Sequence, residues 1–212
     1  MAYQKLLQPL KSYSLLFILF VISACSSVPK EKPVLEPQTE VEQVVTLEQK
    51  QQQLSQIQRW NIRGKVGLQS ADDNGTASLD WQQLNNDYEI NLSGPLGAGN
   101  IQISGDLNGN STLVTAKNET YIASTAEDLL LDYAGLAMPI SSLYYWVRGL
   151  PVPNVEADTQ FDKDLNLSSL QQQGWTVQYQ RYSLVSGINL PSRIDVYNQD
   201  YKIKIAINRW KI

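Results

Sequence analysis

Apolar and polar side chains alternate with a period of two through successive segments of this chain, and that pattern constrains the fold more than any other feature. One segment places Leu79 and Trp81 on one side and Ser78 and Asp80 on the other. Such alternation is typical of antiparallel strands with one buried face. Segments of this kind occur at 60–69, 77–82, 88–93, 101–107, 113–122, 175–179, 194–196 and 201–207. Turn-forming sequences at 73–75, 85–87 and 108–110 predict hairpins between them.

Three segments have helical periodicity instead. Thr46 and Gln49 resemble a capping box at the start of the first. Thr125 can cap the second, which Gly135 would end, and Pro139 suits the first turn of the third. The predicted apolar faces of the second and third helices contain Leu129, Leu130 and Tyr133, and Ile140, Leu143, Tyr144 and Val147. The prediction is a mainly β protein whose helices lie over the mouth of an antiparallel sheet.

Such a sheet can surround either a solid core or a ligand cavity. The chain has five Trp and 11 Tyr residues, which could fill the interior. Residues that line a cavity and residues that fill a core follow the same periodicity. The sequence pattern therefore leaves both the solid core and the ligand cavity open.

The N-terminal residues 1–24 have the organisation of a lipoprotein signal peptide. Lys5 and Lys11 precede an apolar run at 15–22 that is too short to span a bilayer comfortably. Small residues at 23–24 then precede Cys25, the one cysteine of the chain. We predict cleavage before Cys25, followed by N-acyl and S-diacylglycerol modification of that residue. Three acyl chains, palmitate among them, would anchor the protein stably without spanning the membrane.

The residues after Cys25 predict location and domain organisation. An aspartate in the next position usually signals inner-membrane retention, so Ser26 favours the periplasmic face of the outer membrane. Residues 25–45 contain Pro29, Pro33 and Pro37 among charged and polar residues, which is typical of a flexible tether. Residues 46–212 have the length of one domain.

Composition argues against several classes of function. The formal net charge is −4 and the basic residues are spaced singly along the sequence, so we expect no nucleic-acid partner. The chain has no histidine, and its cysteine is predicted to carry lipid. We therefore expect no catalytic residues, no metal and no cofactor. The acidic group Glu127, Asp128 and Asp132 is predicted to be a solvated helix face.

The segment Gly94-Pro95-Leu96-Gly97 resembles part of a phosphate-binding loop, but it joins two predicted strands and no helix begins there. Rigid turn formers on both sides predict that Leu96 lies at a loop tip. In a membrane-anchored protein, a protruding leucine can enter a lipid surface or press on a bound acyl chain.

The chain resembles the LolB family of outer-membrane lipoprotein receptors. The resemblance rests on Cys25 and on the motifs at 60–64, 80–83, 94–97, 138–140, 146–151 and 205–210. It implies an incomplete β-barrel, a curved antiparallel sheet covered by helices, with an apolar cavity for acyl chains. It also implies acceptance of acylated lipoproteins from the periplasmic carrier LolA and their insertion into the outer membrane, without nucleotide hydrolysis or enzymatic activity.

The resemblance assigns the insertion step to Leu96. We hypothesise that eight apolar residues line the cavity: Leu79, Trp81, Ile90, Leu92, Leu130, Tyr133, Leu143 and Trp146. The expected partners are LolA, the lipoprotein cargo and outer-membrane phospholipid, and the protein itself is expected to be a monomer. The alternative is a structural or envelope-assembly lipoprotein with a filled core and a protein-binding face.

Overall fold

The computed structural model describes residues 46–71, 74–95, 99–135 and 138–212. The predicted signal peptide, the lipidation site Cys25 and the tether lie outside these ranges, as do Leu96 and Gly97. Within them, no helix combines the length and the apolar character that crossing a membrane requires.

A single antiparallel sheet dominates the described residues. The helices are α1 (Leu47–Ser55), α2 (Ala126–Ala134) and α3 (Ile140–Trp146). The strands are β1 (Arg59–Gln69), β2 (Asn74–Leu84), β3 (Asp87–Ser93), β4 (Ile101–Asp106), β5 (Ser111–Thr115), β6 (Thr120–Ala123), β7 (Asp158–Phe161), β8 (Leu167–Gln172), β9 (Trp175–Val185), β10 (Ile188–Tyr197) and β11 (Lys202–Lys211). Their order is β6-β5-β4-β3-β2-β1-β11-β10-β9-β8-β7. The predicted fold class is confirmed: the sheet is antiparallel and unclosed, with β6 and β7 at its two edges.

Local capping chemistry fixes the first two helices as predicted. The Thr46 hydroxyl accepts a hydrogen bond from the Gln49 backbone N–H (3.2 Å), and the Gln49 amide oxygen accepts one from the Thr46 N–H (2.9 Å). Thr125 accepts from the Asp128 N–H (3.1 Å). Helix α2 ends at Gly135, whose φ of 65° is a left-handed conformation that glycine adopts without strain.

Helix α3 takes its N-terminal cap from another helix. Pro139 precedes it and makes no side-chain cap hydrogen bond. The Glu127 carboxylate of α2 instead accepts hydrogen bonds from the backbone N–H (2.7 Å) and the hydroxyl of Ser141. Asp128 and Asp132 are exposed, as predicted, while Glu127 is half-buried and holds the two helices together.

Two expectations about the strands were wrong in detail. Asn74 and Gly75 pair with Gln69 and Leu68 inside the β1–β2 ladder, so the connection lies at 70–73 rather than 73–75. Strands β7 and β8 were not predicted. β7 is an edge strand with no fully buried residue, and the burial pattern of β8 does not alternate. Burial alternates in β7, but Phe161 is its one apolar residue, and the two leucines of β8 are three positions apart. Neither sequence therefore shows the alternation of apolar and polar residues.

The core lies between the inner face of the sheet and the helices. The core contains an aromatic cluster, in which the Trp60 ring lies 5.1 Å from that of Trp81, 6.4 Å from that of Tyr144 and 5.7 Å from that of Trp210, measured between centroids. The tilted, stacked and edge contacts of this cluster add to the stability from burial alone.

Arg148 joins α3 to the segment before β1 and is only 2% exposed. Its Nε donates to the Tyr144 carbonyl oxygen (3.0 Å) and its Nη1 to the Ile57 carbonyl oxygen (2.9 Å). The guanidinium also lies 4.1 Å from the centroid of the Tyr144 ring. Burial lowers the pKa of Arg148. Carbonyl oxygens and an aromatic face thus compensate part of the cost of burying this cation.

The β1–β11 pairing contains a bulge with a close backbone contact. The register shifts between Arg63 and Gly64, which leaves Asn208 as the extra residue on β11. A Cβ atom at Gly64 would lie 1.9 Å from the carbonyl oxygen of Ala206. This position therefore requires glycine, because any other side chain would force the two strands apart.

Candidate functional site

An apolar pocket of about 290 Å³ opens at one end of the sheet. It lies between the ends of β1, β2, β3, β4 and β11 and the chain at the C-terminal end of α2. Its apolar lining consists of Val66, Leu68, Ala77, Leu92, Ile101, Tyr133, Met138 and Ile203, and Gly75, Thr76, Gly94 and Gly99 complete it. This volume is just below the range typical of small-molecule sites.

The loop that carries the predicted insertion residue begins and ends at this pocket. Gly94 and Gly99 both line it, and residues 96–98 between them lie outside the described ranges. Gly99 has a φ of 67°, as a tight turn requires. The role predicted for Leu96 stays a prediction, but its two flanking segments are next to the apolar opening.

The eight hypothesised cavity residues separate into two groups. Leu92 and Tyr133 line the pocket. The other six are buried in the core with at most 4% exposure: Leu79, Trp81, Ile90, Leu130, Leu143 and Trp146. The indole N–H groups of Trp81 and Trp146 donate to the side chains of Gln83 (3.0 Å) and Gln172 (3.1 Å). Whether these six also contact an acyl chain stays a prediction.

Sequence reasoning missed most of the pocket. Leu68, Ala77 and Ile101 follow the strand alternation, and their location near strand ends was a usable signal. Ile203 lies opposite Leu68 on the neighbouring strand β11, a contact that depends on long-range pairing. Met138 lies in the connection between α2 and α3, where neither helical nor strand periodicity identifies a buried side.

An aromatic pair extends the apolar surface from the pocket to the edge of the sheet. Tyr133 is 42% exposed, and its ring lies 5.2 Å from that of Tyr121 on the edge strand β6. The negative charge of Glu119 raises the pKa of Tyr121, so its phenol is neutral at physiological pH. Both rings therefore offer partly exposed aromatic faces.

The electrostatics of the pocket suit an uncharged ligand. Among its described lining residues, the Tyr133 phenol is the one ionisable group. Such a surface binds hydrocarbon through burial of apolar area, with little contribution from directed hydrogen bonds.

Comparison with known proteins identifies the family. Residues 58–210 match the family described as "Outer membrane lipoprotein LolB". The chain belongs to this family. LolB of Ectopseudomonas mendocina is 39% identical over 160 residues, which cover 76% of this chain and 78% of the relative. LolB of Pseudomonas aeruginosa is 36% identical over 193 residues, covering 91% and 92%.

Solved structures with low sequence identity share the fold. A DUF1329 family protein from Desulfovibrio piger has a TM-score of 0.54 and 10% identity, covering 78% of this chain and 90% of its own. A LolA superfamily protein from Nitrosomonas europaea has a TM-score of 0.51 and 10% identity, covering 79% and 94%. This chain therefore shares its fold with these two proteins.

Family membership confirms the resemblance carried by the sequence motifs. It also confirms the expected location, because members of the family are outer-membrane lipoproteins. The protein is accordingly a lipid-anchored lipoprotein of the outer membrane.

Proposed function

We propose that this member of the LolB family is a receptor that accepts acylated lipoproteins from the periplasmic carrier LolA and inserts them into the outer membrane without nucleotide hydrolysis. The observation that supports this most directly is the apolar pocket at the end of the sheet, next to the segments that flank Leu96. The partners are LolA, the acylated cargo and outer-membrane phospholipid.

The energetics of acyl chains explain why a pocket is needed. Each methylene contributes about 0.8 kcal/mol when it leaves water, so about 15 methylenes of one chain contribute roughly 12 kcal/mol. A lipoprotein with several chains must therefore pass from one apolar site to another. The cargo moves forward if this receptor binds acyl chains more tightly than the carrier does, and if the bilayer holds them more tightly still.

The proposed anchor keeps the domain close to the membrane that receives the cargo. Lipid on Cys25 would be separated from Thr46 by 20 residues. At about 3.3–3.6 Å per residue, that chain spans at most about 70 Å when fully extended. The folded domain can therefore meet a carrier in the periplasm and still reach the bilayer.

Leu96 is proposed to act at release rather than at acceptance. Leu96→Glu should accept cargo from the carrier at the unchanged rate but deliver it to vesicles at least about 10-fold more slowly, because a carboxylate enters hydrocarbon unfavourably. Sedimentation of cargo with vesicles measures delivery. Leu96→Met is the matched control and should retain delivery. Loss of acceptance in Leu96→Glu would contradict this separation of roles.

The test of the function is transfer between two soluble proteins. Residues 26–212, exported with an unrelated cleavable signal, are mixed with a purified complex of carrier and triacylated lipoprotein. The cargo should then co-purify with residues 26–212. If circular dichroism shows a folded sheet and no cargo transfers, the receptor function is wrong and a structural lipoprotein becomes the better description.

A further inference from the structure

Basic residues are concentrated on four neighbouring strands of the sheet. Strands β1, β11, β10 and β9 are adjacent and carry nine of the 17 Lys and Arg residues of the chain, but only one carboxylate, Asp195. The nine are three on β1 (Arg59, Arg63 and Lys65), four on β11 (Lys202, Lys204, Arg209 and Lys211), Arg193 on β10 and Arg181 on β9. Their single spacing along the sequence hides this concentration, which arises from strand pairing.

The register places these residues on one face of the sheet. Arg63 lies opposite Arg209 in the β1–β11 ladder, and Arg193 lies opposite Arg181 in the β10–β9 ladder. Directly opposed residues point to the same side, and the alternate positions Ile62 and Ile194 are fully buried on the other side. We call the outward side of these four strands the basic face. Eight of its nine cations are exposed, and Lys202 is half-buried.

Carboxylates neutralise only a small part of the basic face. Arg63 Nε lies 2.7 Å from an oxygen of Asp80 on the adjacent strand β2. Asp195 lies opposite Lys204. A local excess of cations in a chain whose net charge is −4 indicates a surface directed at an anionic partner.

The basic face and the apolar pocket meet at the end of the β1–β2 hairpin. Leu68, Gly75 and Thr76 line the pocket on the inner side. The same three residues also line a groove that contains Lys202 and Lys204. Asp72 and Asp73, in the connection between these strands, lie outside the described ranges. Cationic side chains and an apolar opening thus lie side by side at one end of the sheet.

We infer that the basic face docks the folded domain on an anionic phospholipid surface, and that its Lys202–Lys204 end, which adjoins the apolar pocket, brings the edge of the opening beside the lipid headgroups. The charge is complementary to such a surface, and the lipid-anchored location of the protein keeps a membrane within reach. The inference rests on that location and on the charge distribution, and it extends the proposed function by stating how the receptor is oriented during release.

The test measures binding of residues 26–212 to vesicles, because a lipid anchor would obscure a weaker surface contact. These residues contain every described helix and strand, and the described residues fall within one compact unit. The protein should bind vesicles of phosphatidylcholine mixed with phosphatidylglycerol, and not vesicles of phosphatidylcholine alone. Binding should be lost at about 0.5 M salt, where the Debye length is only a few ångströms.

Paired substitutions locate the contact. Lys65→Gln with Lys211→Gln should weaken binding to anionic vesicles about 25-fold, because each basic residue near a membrane surface strengthens binding roughly fivefold. Their cross-strand neighbours are Ser78 and Ala206 for Lys65 and Asn61 for Lys211, so no opposed charge pair is broken. The control, Lys117→Gln with Lys163→Gln, removes the same charge from exposed positions outside the four strands and should leave binding unchanged.

Four outcomes would overturn the inference. In the first, the two paired variants bind anionic vesicles equally weakly; in the second, the unchanged protein does not prefer anionic vesicles. In the third, inorganic phosphate competes for the protein as well as anionic vesicles do. In the fourth, the Lys65/Lys211 variant binds the carrier complex more weakly but binds vesicles normally. The third would indicate a phosphate site, and the fourth would indicate a protein-binding surface. Fatty-acid binding by the Lys65/Lys211 variant should stay normal, so failure of docking remains distinguishable from failure of the receptor function.

Discussion

A protein in which Leu68 and Ile101 are both changed to Asn should bind a fluorescent fatty acid about 30-fold more weakly than the unchanged chain. Both side chains line the apolar pocket and are half-buried, so each accepts a polar replacement without opening the core. Each new amide loses hydrogen bonds to water when hydrocarbon covers it, at a cost of roughly 1–3 kcal/mol. Fluorescence titration of residues 26–212 measures the affinity.

The matched control makes the same chemical change elsewhere. Ile122 and Leu184 are 70% and 73% exposed, and neither lines the pocket. Ile122→Asn with Leu184→Asn should bind the probe as the unchanged chain does. Both pairs should retain the circular dichroism of the β-sheet. Normal affinity in a folded Leu68/Ile101 variant would show that acyl chains bind elsewhere.

Gly64→Ala should destabilise the fold by about 3 kcal/mol or more, or prevent folding. The added Cβ would lie 1.9 Å from the Ala206 carbonyl oxygen, so β1 and β11 must separate at the bulge. That separation strains the pairing at the centre of the sheet, where β1 joins β11 and β2. Overpacking a tight site commonly costs 1–3 kcal/mol, and a clash with backbone belongs at the upper end. Urea unfolding measures the free energy.

Gly67 provides the comparison on the same strand. The nearest atom to a Cβ there is the Thr76 hydroxyl oxygen at 3.8 Å, which is ordinary contact. Gly67→Ala should therefore change the free energy of unfolding by no more than about 1 kcal/mol. Equal stability of the two variants would mean that the close approach at the bulge does not constrain the sheet.

Local chemistry explains which parts of the fold were predictable. Thr46, Thr125 and Gly135 lie at helix ends where the hydrogen bonds and the backbone angle involve only nearby residues. Strands β1, β2 and β3 alternate because each has one face on the core. The sequence of β7 lacks that signal, because an edge strand with no fully buried residue tolerates polar side chains on both faces.

The site was less predictable because it depends on which strands become neighbours. Leu92 and Tyr133 were among the hypothesised lining residues, while Ile203 enters the pocket only through the pairing of the last strand with the first. The same pairing assembles the basic face from residues that are far apart in the chain. Periodicity gives the side on which a residue lies, but it does not give the residue's neighbour.

The two edges of the unclosed sheet, β6 and β7, carry a consequence for cargo size. In a closed barrel, widening the interior requires breaking a ladder of backbone hydrogen bonds or changing the tilt of every strand. Here each described ladder can persist while the sheet flattens, since no hydrogen bonds join one edge to the other. The volume available to hydrocarbon is then set by curvature and side-chain packing. Under the proposed receptor function, one protein could therefore hold acyl chains of different lengths with its backbone pairing intact.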